Sequence, residues 1–277
     1  MRNIILLLMM VCAMATTAQT SDKHKKAVLL VHYGTNNDQS RAKTIDVINQ
    51  KMAEAMPQTV VCEAYSSKMV IASLKKRGIQ KNTISEALRQ LYAKGCTDII
   101  IQSTHLLPGV MQEIIEKEAD KVRFLFDTIQ VNKPLLWNAD DACQLASLLA
   151  KHINAKKDEQ VVLVGHGTPG PANAMYTLLN YALHEQGFTN YHVATIEGYP
   201  TLAHVKKMLQ ENKKPKVKKA KHVILYPLLY IAGNHATEDI EGEWKQELEK
   251  EGYKVSFIGE GIGELPEIQQ WIINKTK

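Results

Sequence analysis

One pattern constrains this chain more than any other. A short apolar run leads directly into a loop of His, Tyr and Gly, and the unit occurs twice. Val28-Leu29-Leu30-Val31-His32-Tyr33-Gly34-Thr35 lines up with Val161-Val162-Leu163-Val164-Gly165-His166-Gly167-Thr168. A second pair keeps the same order: Ile99 to Gly109 (IIIQSTHLLPG) matches Val223 to Gly233 (VILYPLLYIAG). Short runs of β-branched and aliphatic residues bounded by turn residues suit strands buried on both faces, as in a parallel sheet covered by helices. Because the shared residues are mostly types that strands use anyway, the alignment alone admits chance similarity as well as duplication.

The rest of the chain alternates in the same way. The first half reads as strand 27–31, helix 40–56, strand 60–64, helix 84–94 ended by Gly95, strand 98–102 and helix 110–122. The second half reads as strand 160–164, helix 172–186 ended by Gly187, strand 191–196, helix 202–210, strand 222–226, helix 236–251, strand 254–258 and a last helix from Pro266. Strands alternating with helices imply βαβ units with right-handed crossovers. The expected fold is therefore α/β: two similar flavodoxin/Rossmann-like domains with parallel sheets, 26–131 and 132–277, joined by a link near 132–158.

Composition narrows the class. The 277 residues are 45% apolar and 23% charged, which excludes a mostly disordered, collagen-like or polytopic membrane chain. The net charge of +5 is scattered, which favours an acidic small ligand over nucleic acid. Met1-Arg2-Asn3 followed by the apolar run Ile4 to Ala15 and Thr16-Thr17-Ala18 has the form of a signal peptide spanning 1–18, cut after Ala18. It is short for a membrane span of about 20 residues. A retained anchor, or a lipoprotein cut before Cys12, are the competing forms. The expected location is the periplasm. Cys62, Cys96 and Cys143 show no metal spacing and suit buried small hydrophobes. The lysines from Lys213 to Lys221 read as a solvated loop, since no aromatics are interleaved to support nucleic acid. Gly259-Glu260-Gly261-Ile262-Gly263 is weak evidence of phosphate binding.

In an open parallel sheet, ligands meet the loops at the carboxyl ends of the strands. Three residues of the second half belong there: His166, Glu197 and His235. Two imidazoles and a carboxylate from three strand ends suit a divalent transition metal with open positions. Each also has a plainer role: His166 as a loop histidine, Glu197 as a turn residue, and His235 as a helix-start residue after an Asn234 cap. His32 and His105 take similar places in the first half, either lining the opposite wall of the cleft or serving as core or surface imidazoles.

Together, Val31 to Asn37 (VHYGTNN), Ala64 to Leu74 (AYSSKMVIASL), Ile101 to Gly109 (IQSTHLLPG), Val161 to Gly167 (VVLVGHG), Glu197 to Pro200 (EGYP), Tyr226 to Ala236 (YPLLYIAGNHA) and Gly261 to Ile268 (GIGELPEI) resemble the anaerobic sirohydrochlorin cobaltochelatases. These are class II tetrapyrrole metal chelatases of cobalamin biosynthesis. The resemblance implies a bilobal fold with the active cleft between the lobes. It also implies a lyase that inserts a divalent metal, Co2+ before Fe2+ or Ni2+, into sirohydrochlorin without any further cofactor. It places the catalytic histidine at His166, the metal-binding glutamate at Glu197 and the second metal histidine at His235. His166 and Glu197 are then the proton acceptors, and all three residues are ligands. His32 departs from the family pattern, which has a small residue there, and the signal peptide is a second departure. The partners implied are a tetrapyrrole and a metal ion, with no nucleic acid and no stable membrane span, and with homo-oligomerisation left open. The competing function is an exported haem-, tetrapyrrole- or metal-binding protein used in uptake.

Overall fold

The computed structural model describes residues 24–211 and 222–277. The leader assigned to 1–18, with Cys12, and the lysine stretch Lys213–Lys221 lie outside the described residues.

Strands β1 (Lys26–His32), β2 (Val60–Tyr65), β3 (Asp98–Ser103) and β4 (Thr128–Val131) form one parallel sheet in the order β2-β1-β3-β4. Strands β5 (Glu159–Gly165), β6 (Tyr191–Thr195), β7 (His222–Pro227) and β8 (Lys254–Phe257) form a second, in the order β6-β5-β7-β8. The two orders are the same, with the first strand of each half inside its sheet. This is the flavodoxin-like arrangement, whose order reverses between the first and third strands. Beyond Lys26, every residue of β1 is buried, because helices cover both faces.

The helices of the first half are α1 (Asp38–Lys43), α2 (Ile45–Ala55), α3 (Lys68–Lys76), α4 (Ile84–Ala93) and α5 (Val110–Asp120). Those of the second half are α6 (Ala139–Ile153), α7 (Ala174–Glu185), α8 (Leu202–Glu211), a π-helix (His235–Trp244), α9 (Lys245–Lys250) and α10 (Pro266–Thr276). Local signals explain several ends. Thr83 and Glu86 make a reciprocal capping box at α4, and Gly95 follows its end at φ +74°.

Four expectations needed revision. The helix expected over 40–56 is two helices, broken at the buried Thr44, whose hydroxyl donates to the Ser40 carbonyl at 2.6 Å. A β-branched residue bonding back one turn disturbs the helix there. Helix α3 was not expected, and strand β4 was too short to show a pattern. The link 132–158 is not an open linker. It carries α6, whose Ala142, Leu145, Ala146 and Leu149 are fully buried.

That helix lies in a seam common to both halves. One apolar cluster joins Val28, Leu30, Ile48 and Met52 of the first half to Val161, Leu163, Tyr226 and Ile272 of the second. Helix α10 returns to the first half, where Lys51 donates to Gln269 at 2.7 Å, and Asn132, just past the end of β4, donates to the Lys275 carbonyl at 2.8 Å. The carboxyl-end loops also meet. The Ser40 hydroxyl donates to the Ala232 carbonyl at 2.9 Å, and a Cβ on Gly109 would lie 2.9 Å from the Thr168 hydroxyl oxygen. A shared apolar seam opposes large relative motion of the lobes. Among the described residues, no helix is long and apolar enough to cross a membrane.

Candidate active site

The site begins with the end of β5. Gly165 closes the strand against the Tyr176 ring, which would stand 2.3 Å from an added Cβ. The chain then turns through Gly167 at φ +91°, a conformation that favours glycine. A Cβ there would sit 2.3 Å from the Glu197 carbonyl oxygen, so the loop and the stretch after β6 are in close backbone contact. The Glu197 N–H donates to the His166 carbonyl at 2.7 Å. Asn173 clamps the same pair of segments, accepting from the Thr168 N–H at 3.2 Å and donating to the Tyr199 carbonyl at 2.7 Å. The Tyr176 hydroxyl accepts from the Gly167 N–H at 3.3 Å, and burial pushes its pKa up to about 12.

His235 arrives from the other side of the switch point, at the start of the π-helix after β7. Its approach loop rests on the glycine-rich turn. The Ile262 and Gly263 N–H groups donate to the Leu229 and Tyr230 carbonyls at 2.8 and 2.9 Å, and a Cβ on Gly261 would meet the Ala232 nitrogen at 2.6 Å. These glycines are explained by close backbone packing beneath the His235 loop, which replaces the weak phosphate reading. The ten-residue π-helix had no sequence signal; such segments are rare and recur at functional sites.

The rings of His166 and His235 stand edge to face, 4.7 Å between centroids. His166 Nδ1 lies 3.1 Å from the Gly167 carbonyl oxygen, and His235 Nδ1 lies 2.6 Å from Asp239 Oδ2. A carbonyl and a carboxylate only accept, so Nδ1–H donates in both rings and each neutral imidazole keeps its lone pair on Nε2. An oxygen acceptor on the far nitrogen is how metal-ligating histidines are usually oriented. Asp239, one helical turn on, therefore positions His235. The signal available was its place four residues after the histidine. Glu197 is exposed and joined to His166 through the backbone. Among the described residues, no group of three or more His, Cys, Asp and Glu side chains is gathered closely enough to hold a metal ion. The structure thus pairs the two imidazoles and leaves the Glu197 carboxylate outside any preformed three-ligand cluster.

The first-half histidines differ. His32 is fully buried, with Nδ1 3.1 Å from the Thr104 hydroxyl and Nε2 3.0 Å from Asn49 Oδ1; Asn49 in turn donates to Glu63 at 2.7 Å, and Lys81 pairs with Glu63. His32 is a core imidazole and does not line a wall. Burial lowers its pKa. His105 is half-buried, with Nε2 3.2 Å from the Ser66 hydroxyl and Nδ1 unpartnered; burial, with a smaller effect of His32, brings its pKa down to about 4. Cys62, Cys96 and Cys143 are free, and burial pushes the Cys62 thiol up to about 12.

Comparison with known proteins decides the family. The model of the cobalt chelatase (CbiK) family matches residues 26–277. The chain belongs to the cobalt chelatase (CbiK) family. Sirohydrochlorin cobaltochelatase of Salmonella typhimurium is 31% identical over 255 residues, covering 90% of this chain and 94% of the relative. Sirohydrochlorin cobaltochelatase CbiKC of Nitratidesulfovibrio vulgaris is 31% identical over 248 residues, covering 87% and 85%. In fold, the chain is similar to SirB from Bacillus subtilis with Fe3+, at a TM-score of 0.68 and 18% identity over 91% of this chain and 94% of that one. As a member of the CbiK family, the chain is a metal chelatase of α/β fold, and cobalt is the metal named by its family.

Proposed function

We propose that this chelatase inserts Co2+ into sirohydrochlorin, with the second lobe handling the metal and the protons. The pairing of His166 with His235 at the β5/β7 switch point, Nε2 lone pairs free, is the observation that carries this reading. A metal-free tetrapyrrole must lose two pyrrole N–H protons while one ion enters. Neutral imidazole, with an unperturbed pKa near 6.5, can bind the ion or take a proton close to neutrality. His166 serves as ligand and proton acceptor, His235 as ligand, and Glu197 as a carboxylate that joins them once the ion is present. A substrate ion has to be released into the macrocycle, so a site short of a closed ligand cage suits the task. Fe2+ and Ni2+ are competing ions at such a set, because geometry and supply select the metal more than imidazole does.

We further propose that the working protein is exported to the periplasm after loss of residues 1–18, and that 26–131 and 132–277 act as its two lobes. The charged start and apolar run of the leader support export.

The test is direct. Purified protein mixed with sirohydrochlorin and Co2+ is followed by absorbance. Turnover that disappears in His166→Ala is expected. Wild-type rates in that variant, or stable stoichiometric haem binding without insertion, overturn the assignment.

A further inference from the structure

The first lobe lacks the paired imidazoles but carries an apolar rim at the matching edge. Tyr33 follows β1, Met69 lies in the first turn of α3 after β2, and Val110 opens α5 after β3. Their exposures are 44%, 76% and 42%. Strands β2, β1 and β3 are neighbours in the sheet, so the three residues come from adjacent strand-end loops. Large apolar side chains held in water at a ligand-binding edge call for an occupant. Tyr33 and the start of α3 are joined directly, because the Ser67 N–H donates to the Tyr33 carbonyl at 3.2 Å.

The rim abuts the metal pair. Ile231, in the loop that delivers His235, packs against the apolar cluster of Ile45, Tyr65, Val70 and Leu74, the last two of which lie on the helix that bears Met69. Gly109, next to Val110, meets Thr168, two residues beyond His166. Tyr199, also exposed, follows Glu197 in the second lobe, and its ring is occupied by His204 at 4.6 Å.

We propose that Met69, flanked by Tyr33 and Val110, seats the flat face of the tetrapyrrole against the first lobe and presents its nitrogens to His166 and His235. This rests on the insertion reading and names the residues that position its organic substrate. A macrocycle needs a broad apolar contact with few directed polar groups. A thioether is adaptable and makes favourable contacts with π-systems, and a tyrosine ring adds area with little conformational freedom to lose. Because Met69 is exposed before binding, its role is separable from folding.

The experiment titrates the full chain with metal-free sirohydrochlorin by absorbance, and separately with Co2+ alone. Met69→Ala is expected to raise the tetrapyrrole Kd and KM about tenfold, in line with losing the burial of one large apolar side chain. kcat and Co2+ affinity should stay within about twofold of wild type, since uniform binding alone is lost. Phe124→Ala, a control at an 82%-exposed residue outside the rim, should change neither. Tetrapyrrole binding by Met69→Ala equal to wild type, or a parallel loss of Co2+ affinity, overturns the seat alone. No tetrapyrrole binding by the wild-type chain overturns the seat and the insertion reading together.

Discussion

The two halves use one backbone device for different ends. After β1 and after β5 the chain turns through a glycine of positive φ, +96° at Gly34 and +91° at Gly167. At Gly34 the space is filled by the Tyr65 ring, 2.4 Å from where a Cβ would sit. At Gly167 it is filled by the Glu197 backbone. In the first lobe the nearby histidine, His32, lies within the strand, fully buried and saturated by Thr104 and Asn49. In the second, Gly165 takes that place and the histidine moves one residue on, out of the strand and beside His235. A shift of one position along a strand end thus separates a core imidazole from one that can meet an ion. Both lobes keep the turn, and they differ in the side chain set beside it.

The comparison breaks most visibly at His166. His166→Ala should lower the insertion rate by about 10²–10⁴, the usual contribution of a positioned proton acceptor. Thermal stability should remain within about 0.5 kcal/mol of wild type, as for a substitution away from the core. Absorbance kinetics and a melting curve check both.

Acid stability sharpens the contrast between buried and paired imidazoles. Burial lowers the pKa of both His105 and His192 to about 4, with smaller effects of His32 and His184 respectively. Both stay neutral when folded and take a proton on unfolding below about pH 6.5. Their contribution is complete above that value and is lost as the pH falls from 6.5 towards 4, by up to roughly 3 kcal/mol for the deeply buried His192. Denaturant unfolding at stepped pH should show this decline, and His192→Asn should flatten it. An unchanged slope in that variant would remove His192 from the account.

Asp239→Asn should weaken Co2+ affinity or insertion by about 10–100-fold, because the amide holds the His235 tautomer less well than a carboxylate. Isothermal titration with Co2+ measures it. The converse variant, His32→Ala, should cost about 1–3 kcal/mol of stability by leaving Asn49 and Thr104 without their partner. Insertion by the folded fraction should persist. A selective loss of activity at unchanged stability would place His32 at the site after all.

Much of this was legible along the chain. Apolar runs such as Val28–Val31 and Val161–Val164 determine parallel strands because a strand buried on both faces leaves no room for alternating polar residues. Glycines 95 and 187 end helices because they accept a positive φ, here +74° and +87°. Loops after those strands share an edge, so His166, Glu197 and His235 stand as sequence candidates, of which the structure pairs His166 with His235. Other features were decided only when the chain folded. Whether His32 was wall or core depended on Asn49 and Thr104 arriving from other elements. Asp239 gained a role only when the π-helix set it beside His235. The stretch 132–158 looked like a connector, since burial of α6 depends on the seam between lobes rather than on any local pattern. Sequence periodicity reports which face of an element is apolar; which partner covers that face, and which ring nitrogen stays free, are properties of contacts between distant residues.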